Sequence, residues 1–172
     1  MIRLELLAAA FALAAPAFGA DESAILAKHW QTSKEFTLAV AAAMPAADYN
    51  SKPNEEEMSF GKVMAHIAMV NSRTFASVSG LKAPETPEKI AAAFKDPKGV
   101  FEKESIVEFL RDSFDFCIKA IPQIDPEKMD AMIGPLSGRE RLWSCFTHTA
   151  HHRGQAEVYL RVRNIKPPDY KF

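Results

Sequence analysis

The sequence predicts an all-α protein built as a four-helix bundle. Four long segments repeat apolar residues at helical spacing, and clusters of Pro, Gly, Asn and Asp separate them. No alternating run rich in β-branched residues is long enough to argue for a sheet. The first segment, about Ser23 to Met44, carries Ile25, Leu26, His29, Trp30, Phe36, Val40 and Met44 on or near one stripe, and Pro45 ends it. The second, about Glu56 to Val78, carries Phe60, Val63, Met64, Ile67, Val70, Phe75 and Val78; the acidic run Glu55 to Glu57 resembles its start, and Gly80 is its stop signal. The third begins near Ser105, where Ser105 and Glu108 have capping-box spacing, and passes through Ile106, Phe109, Leu110, Phe114, Cys117 and Ile118 before Pro122. Ser137 and Glu140 repeat that device for the fourth, which runs to about Arg163 ahead of Pro167 and Pro168. Its inner stripe is Leu142, Cys145, Phe146, Thr149, His152, Ala156, Tyr159 and Leu160.

The connections bear on topology. The stretch from Leu81 to Gly99 holds Pro84, Pro87 and Pro97 around an Ala-rich piece, Ile90 to Phe94, suited to a short extra helix. It is long enough to cross over, which would let the second and third long helices lie parallel. The loops from Pro45 to Glu55 and from Pro122 to Leu136 leave direction open. No internal repeat or second domain is visible.

Composition narrows the function. The chain has 172 residues, 48% of them hydrophobic, enough for one substantial core. Its 21 Lys plus Arg against 22 Asp plus Glu leave a net charge of −1, with no basic excess to hold a phosphate backbone. Nucleic acid is therefore excluded as the expected partner. Residues 1–20 differ from the rest: Arg3 precedes the apolar run Leu6 to Ala15, and Pro16, Ala17, Phe18, Gly19 and Ala20 follow. The run is short for a membrane span and has the shape of a secretory signal peptide, which predicts an exported (periplasmic or secreted) protein with no stable span after cleavage and a domain from 21 to 172. Cys117 and Cys145 form no CxxC pair, and both fall in apolar helical surroundings. Two buried thiols or one disulfide between neighbouring helices both satisfy that placement.

The five histidines carry the chemical signal. His148 and His152 stand four residues apart on one helix, one turn apart on one face, where both rings reach a common ion. His66 sits mid-helix among Val63, Ile67 and Val70 and brings a third imidazole inward from another helix. Three imidazoles in apolar surroundings are costly to leave unpaired, and a shared divalent transition metal satisfies their lone pairs together: zinc or nickel first, iron also. Thr149 and Ala150 follow His148, so the HExxH pattern of a zinc peptidase is absent. Cys145, His151 and His29 are weaker ligand candidates, better placed as a core residue, a surface or supporting residue and an inward helix residue respectively. Glu157 projects about half a turn from His152 and suits a solvated charge, so no general base is named. Arg153 and Gln155 suit either orienting the ligands or tying helices together.

Two motifs, Ser59-Phe60-Gly61-Lys62-Val63-Met64-Ala65-His66-Ile67-Ala68 and His148-Thr149-Ala150-His151-His152-Arg153-Gly154-Gln155, resemble the DinB/YfiT-like family of metalloenzymes, over about Ser23 to Arg163. The resemblance implies an up-up-down-down four-helix bundle with a three-histidine metal site at His66, His148 and His152. It also implies kinship with thiol-dependent transferases and isomerases, such as bacillithiol transferases and mycothiol-dependent maleylpyruvate isomerase, and a homodimer. The expected function is thus a metal-dependent hydrolase or thiol/S-transferase acting on a small molecule. A non-catalytic metal- or ligand-binding bundle, and a bundle whose core histidines are merely hydrogen-bonded, are the competing readings.

Overall fold

A computed structural model describes residues 20–171; the expected signal peptide at residues 1–20 falls almost entirely outside them. Six helices follow in order: α1 (Ala20–Ala43), α2 (Phe60–Ser79), α3 (Glu88–Lys95), α4 (Lys103–Ala120), α5 (Pro126–Asp130) and α6 (Gly138–Val162). A two-residue antiparallel hairpin, β1 (Met132–Ile133) with β2 (Leu136–Ser137), lies between α5 and α6, with Met132 opposite Ser137 and Ile133 opposite Leu136. The all-α class and the four long helices hold. The short helix expected around Ile90 is α3, whereas α5 and the hairpin were not foreseen. No helix among the described residues is long and apolar enough to cross a membrane.

The helix starts show which local signals compete. Ser137 and Glu140 form the expected reciprocal capping box on α6. The acidic run at Glu55 does not open α2, because the Asn54 side chain takes the Glu56 and Glu57 N–H groups at 3.0 and 3.1 Å and holds a turn there. Ser59 is the cap instead, accepting from the Lys62 N–H. Likewise Ser105 lies inside the first turn of α4, which begins at Lys103. Lys103 Nζ donates to the Ala42 and Met44 carbonyls at 2.7 and 2.8 Å, neutralising the negative end of α1. Gly80 ends α2 with φ 77°, the left-handed conformation a glycine adopts without cost.

Around the bundle each long helix has two long neighbours: α1 and α2 each pack on α4 and α6, and lie across the diagonal from each other. Named contacts fix directions. The start of α4 meets the end of α1, so those two are antiparallel. Glu22 pairs with Arg139 and Ser33 with Arg153, so α1 and α6 are parallel. Tyr159 reaches the Met58 carbonyl while Val78 lies beside Gly138, so α2 and α6 are antiparallel. The order is therefore up-down-down-up, and the up-up-down-down order implied by the resemblance is corrected. The physical reason is the long connection from Gly80 to Glu102, which carries the chain back along the bundle and sets α4 parallel to α2, as its length allows. Asn50 anchors its end, bonding both the N–H and the carbonyl of Phe101.

Trp30 centres the core, fully buried, with ring centroids 4.8 Å from Phe75, 5.8 Å from Phe114 and 5.7 Å from Phe146. Most of the expected stripe residues are buried around it; Ile25 is the exception, 57% exposed at the edge of a groove between α1 and α6. Cys117 and Cys145 are both buried free thiols, which decides between the two readings of that pair. Burial pushes the Cys145 thiol up to about 12 and Cys117 well above the usual range, so neither is a nucleophile at neutral pH.

Gly154 sits exposed in the interior of α6, and a Cβ there meets nothing within 4 Å. Gly154→Ala is expected to stabilise the fold by about 0.5–1 kcal/mol, read from the urea midpoint, because it removes backbone freedom from the unfolded chain; a loss of stability would show that α6 is strained at this position.

Candidate metal centre

α2 and α6 present the three expected histidines to one another. His66 lies one turn inside the apolar stripe of α2, and His148 and His152 lie one turn apart on the face of α6 that packs against it. His66 Nε2 and His148 Nε2 are 3.0 Å apart, and one ligand atom from each of the three rings falls within 4.8 Å of the others. The ring centroids are 4.9 Å (His66–His148), 4.8 Å (His66–His152) and 4.4 Å (His148–His152) apart. All three side chains are half-buried, so the cluster is open on one side to solvent.

The arrangement fits a divalent cation. Nitrogen ligands about 2.0–2.1 Å from a tetrahedral ion stand about 3.3 Å from each other; the His66–His148 pair is near that spacing, and the His152 ring offers a nitrogen within 4.8 Å of both. His152 Nδ1 donates to Gln155 Oε1 at 2.7 Å, one turn further along α6, which fixes the tautomer and leaves Nε2 as the lone-pair nitrogen. His148 Nδ1 is buried without a hydrogen-bond partner. With two Nε2 atoms facing each other at hydrogen-bond distance, one proton shared between His66 and His148 serves one pair only. An ion satisfies all three lone pairs.

Electrostatics favour the neutral, ligating form of each ring. Burial, then the neighbouring rings of His152, His66 and His151, pushes His148 down to about 4. Burial, then His152 and Arg73, lowers His66; burial, with His151 adding to it and Gln155 opposing it, lowers His152.

The other candidates are sorted by position. His151 is exposed, its ring 5.0 Å from that of His152, and His29 lies on α1 beside Phe146; neither joins the group. Cys145 points into the core and donates to Asn71 Oδ1 at 3.3 Å. Glu157 pairs with Arg161 at 3.8 Å. Arg153 turns the other way, towards α1, with Nη1 3.2 Å from Ser33 Oγ. Asn71 was missed. It is fully buried on α2, and its Oδ1 accepts from Thr149 Oγ1 at 2.8 Å as well as from Cys145, tying α2 to α6 directly beneath the histidines. The signal was in the spacing: an amide placed four residues after Ile67 and four before Phe75 interrupts an otherwise apolar stripe.

Comparison with known proteins bears on the family. The DinB superfamily profile matches residues 29–156, which include all three histidines. No match was found among curated proteins. Among solved structures, the fold is similar to a DinB-like protein from Bacillus cereus ATCC 10987, with 18% identity and a TM-score of 0.67 over 85% of this chain and 95% of that one. A DinB-like protein from Bacillus subtilis has 21% identity and a TM-score of 0.64, over 85% and 96%. A conserved protein from Enterococcus faecalis has 21% identity and a TM-score of 0.62, over 81% and 94%. These likenesses establish the shared fold, and the profile match across most of the chain establishes that it belongs to the DinB superfamily.

Proposed function

We propose that this protein is a metal-dependent enzyme acting on a small molecule, a hydrolase or a thiol/S-transferase, with His66, His148 and His152 as ligands of zinc or nickel, or of iron. The observation that supports it is the convergence of three neutral imidazoles from two helices in a half-open position, with no Asp, Glu or Cys joining them among the described residues. Three protein ligands and an open side are the pattern of catalytic sites, whereas structural sites close with four. A divalent ion there keeps its full charge and supplies Lewis acidity.

The chain's own groups supply the rest. His66, His148 and His152 bind; Gln155 holds the His152 ring by its Nδ1 proton; Asn71, bonded to Thr149 and Cys145, holds the two helices in register. The expected export signal favours hydrolysis over thiol transfer, because the low-molecular-weight thiols used by the related transferases are cytoplasmic. The absence of a carboxylate from the group favours a second reading, a non-catalytic metal-binding bundle, since no residue of the cluster is then free to act as a base. A homodimer, as the resemblance implies, belongs to the same proposal.

Elemental analysis after dialysis against a weak chelator tests the site. About one equivalent of metal is expected in the wild type and little in the His66→Ala/His148→Ala protein; equal metal content in the two would remove these residues from the site. Gln155→Leu removes the acceptor for His152 Nδ1 and is expected to weaken metal binding about 10–100-fold in a competition titration, with the helical content unchanged.

The pH dependence follows from the lowered imidazoles. Their neutral form persists below the usual 6.5, so metal content is expected to stay flat from neutral pH to about 6.5 and to fall only as pH drops towards 4. For the metal-free protein, the unfolded chain takes up protons at about 6.5 while the folded chain resists, so stability is complete above that pH and declines below it. Urea midpoints of the metal-free protein that rise as pH falls from 7.5 to 5 would contradict this sign.

A further inference from the structure

On the opposite side of α6 from the histidines, the groove between α1 and α6 opens into a cleft of about 310 Å³. The two helices are parallel there, and theirs is the sparsest of the four long interfaces. Its walls are apolar: Ile25 and Leu26 from α1, and Leu142, Trp143 and Phe146 from α6. Trp143 is 55% exposed on its rim. That is the size and lining of a site for a small organic ligand.

The floor is not apolar. Arg153 lines the cleft with 8% of its surface exposed, its guanidinium carbon 4.5 Å from the centre of the Phe36 ring. Nη1 contacts Ser33 Oγ at 3.2 Å and Thr37 Oγ1 at 3.5 Å. A guanidinium carries five N–H donors, and the hydroxyls use those of Nη1 alone. Nε and Nη2 have no acceptor among the described residues and are not sealed from the cleft. No carboxylate among the described residues forms an ion pair with Arg153. Glu157, one turn on, favours the charged guanidinium from beyond contact distance and stands 3.8 Å from Arg161. The other cations at the cleft are compensated: Arg139 by Glu22 and Asp130, and Lys171 by Glu35. A buried guanidinium with unfilled N–H donors and no carboxylate in direct contact, beneath an open apolar groove, is suited to a monoanion.

We propose that this cleft binds a small monocarboxylate with an apolar tail, its carboxylate on Nε and Nη2 of Arg153 and its tail along Trp143, Phe146 and Ile25. One unpaired cation matches one negative charge, and the planar fork of the guanidinium matches the two oxygens of a carboxylate. The site is separate from the metal centre and does not rest on the proposed activity.

The test is calorimetric titration of the purified protein with octanoate and with octan-1-ol, which share a tail and differ in the head group. Octanoate is expected to bind at one equivalent, and the alcohol about tenfold more weakly or worse. Trp143→Ala, a change at an exposed position, is expected to abolish octanoate binding while metal content stays the same. Arg153→Met, which keeps a side chain against Phe36, is expected to bring acid and alcohol to equal affinity; if that variant does not fold, the Trp143→Ala result and the acid-to-alcohol ratio decide. Equal binding of acid and alcohol by the wild type, no octanoate binding at all, or octanoate binding untouched by Trp143→Ala would overturn the proposal, the last placing the carboxylate elsewhere, such as on the metal.

Discussion

The register of α2 against α6 is the constraint on which the rest depends. Each residue along an α-helix turns the side chain by about 100°, so a slip of a single residue would carry His148 and His152 off the face that meets His66. Polar contacts prevent that slip at several points. Asn71 accepts from both Thr149 and Cys145 inside the core, where an unmade hydrogen bond is costly. Tyr159 donates to the Met58 carbonyl at 2.9 Å at one end. At the other, Gly138 packs so close to α2 that a Cβ would stand 3.2 Å from Val78 Cγ1. Apolar packing alone tolerates sliding; directional bonds and a close approach of this kind do not.

The same burial that fixes the register decides which groups are reactive. It raises the two thiols out of range and lowers the three imidazoles into their neutral form. In this core the cysteines are thus packing residues, and ligand chemistry is confined to the histidines. Gln155 extends that logic by one turn of α6, spending its side-chain oxygen on the far nitrogen of His152.

α6 serves two faces at once. His152 looks towards α2 and Arg153 towards α1, although they are neighbours in sequence, because consecutive helical residues diverge by more than a quarter-turn. The HRGQ segment therefore holds an imidazole of the three-histidine cluster, a guanidinium stacked on Phe36 and the amide that orients the imidazole within a single turn. A change at any of these positions acts on a different interface of the same helix.

Much of this was legible in the residues. Apolar period, caps and proline stops set the four long helices, since those signals are local. The HxxxH spacing put His148 and His152 on one face, since 3.6 residues per turn allow no other outcome. The long Leu81–Gly99 connection carried the information that α2 and α4 lie parallel, and it proved a better guide than the direction order implied by the resemblance. The starts of α2 and α4 were misplaced because a local Asn54 turn takes up the acidic run, and because Lys103 is anchored by a tertiary contact with the end of α1. What only the tertiary structure decided was distance between elements: that His66 comes within 3.0 Å of His148, that Asn71 bridges to Thr149, that the cysteines stay unpaired, and that Arg153 meets the Ser33 hydroxyl of α1. Periodicity tells each helix which face is inward, but the depth and register at which two inward faces meet depend on every packed side chain between them.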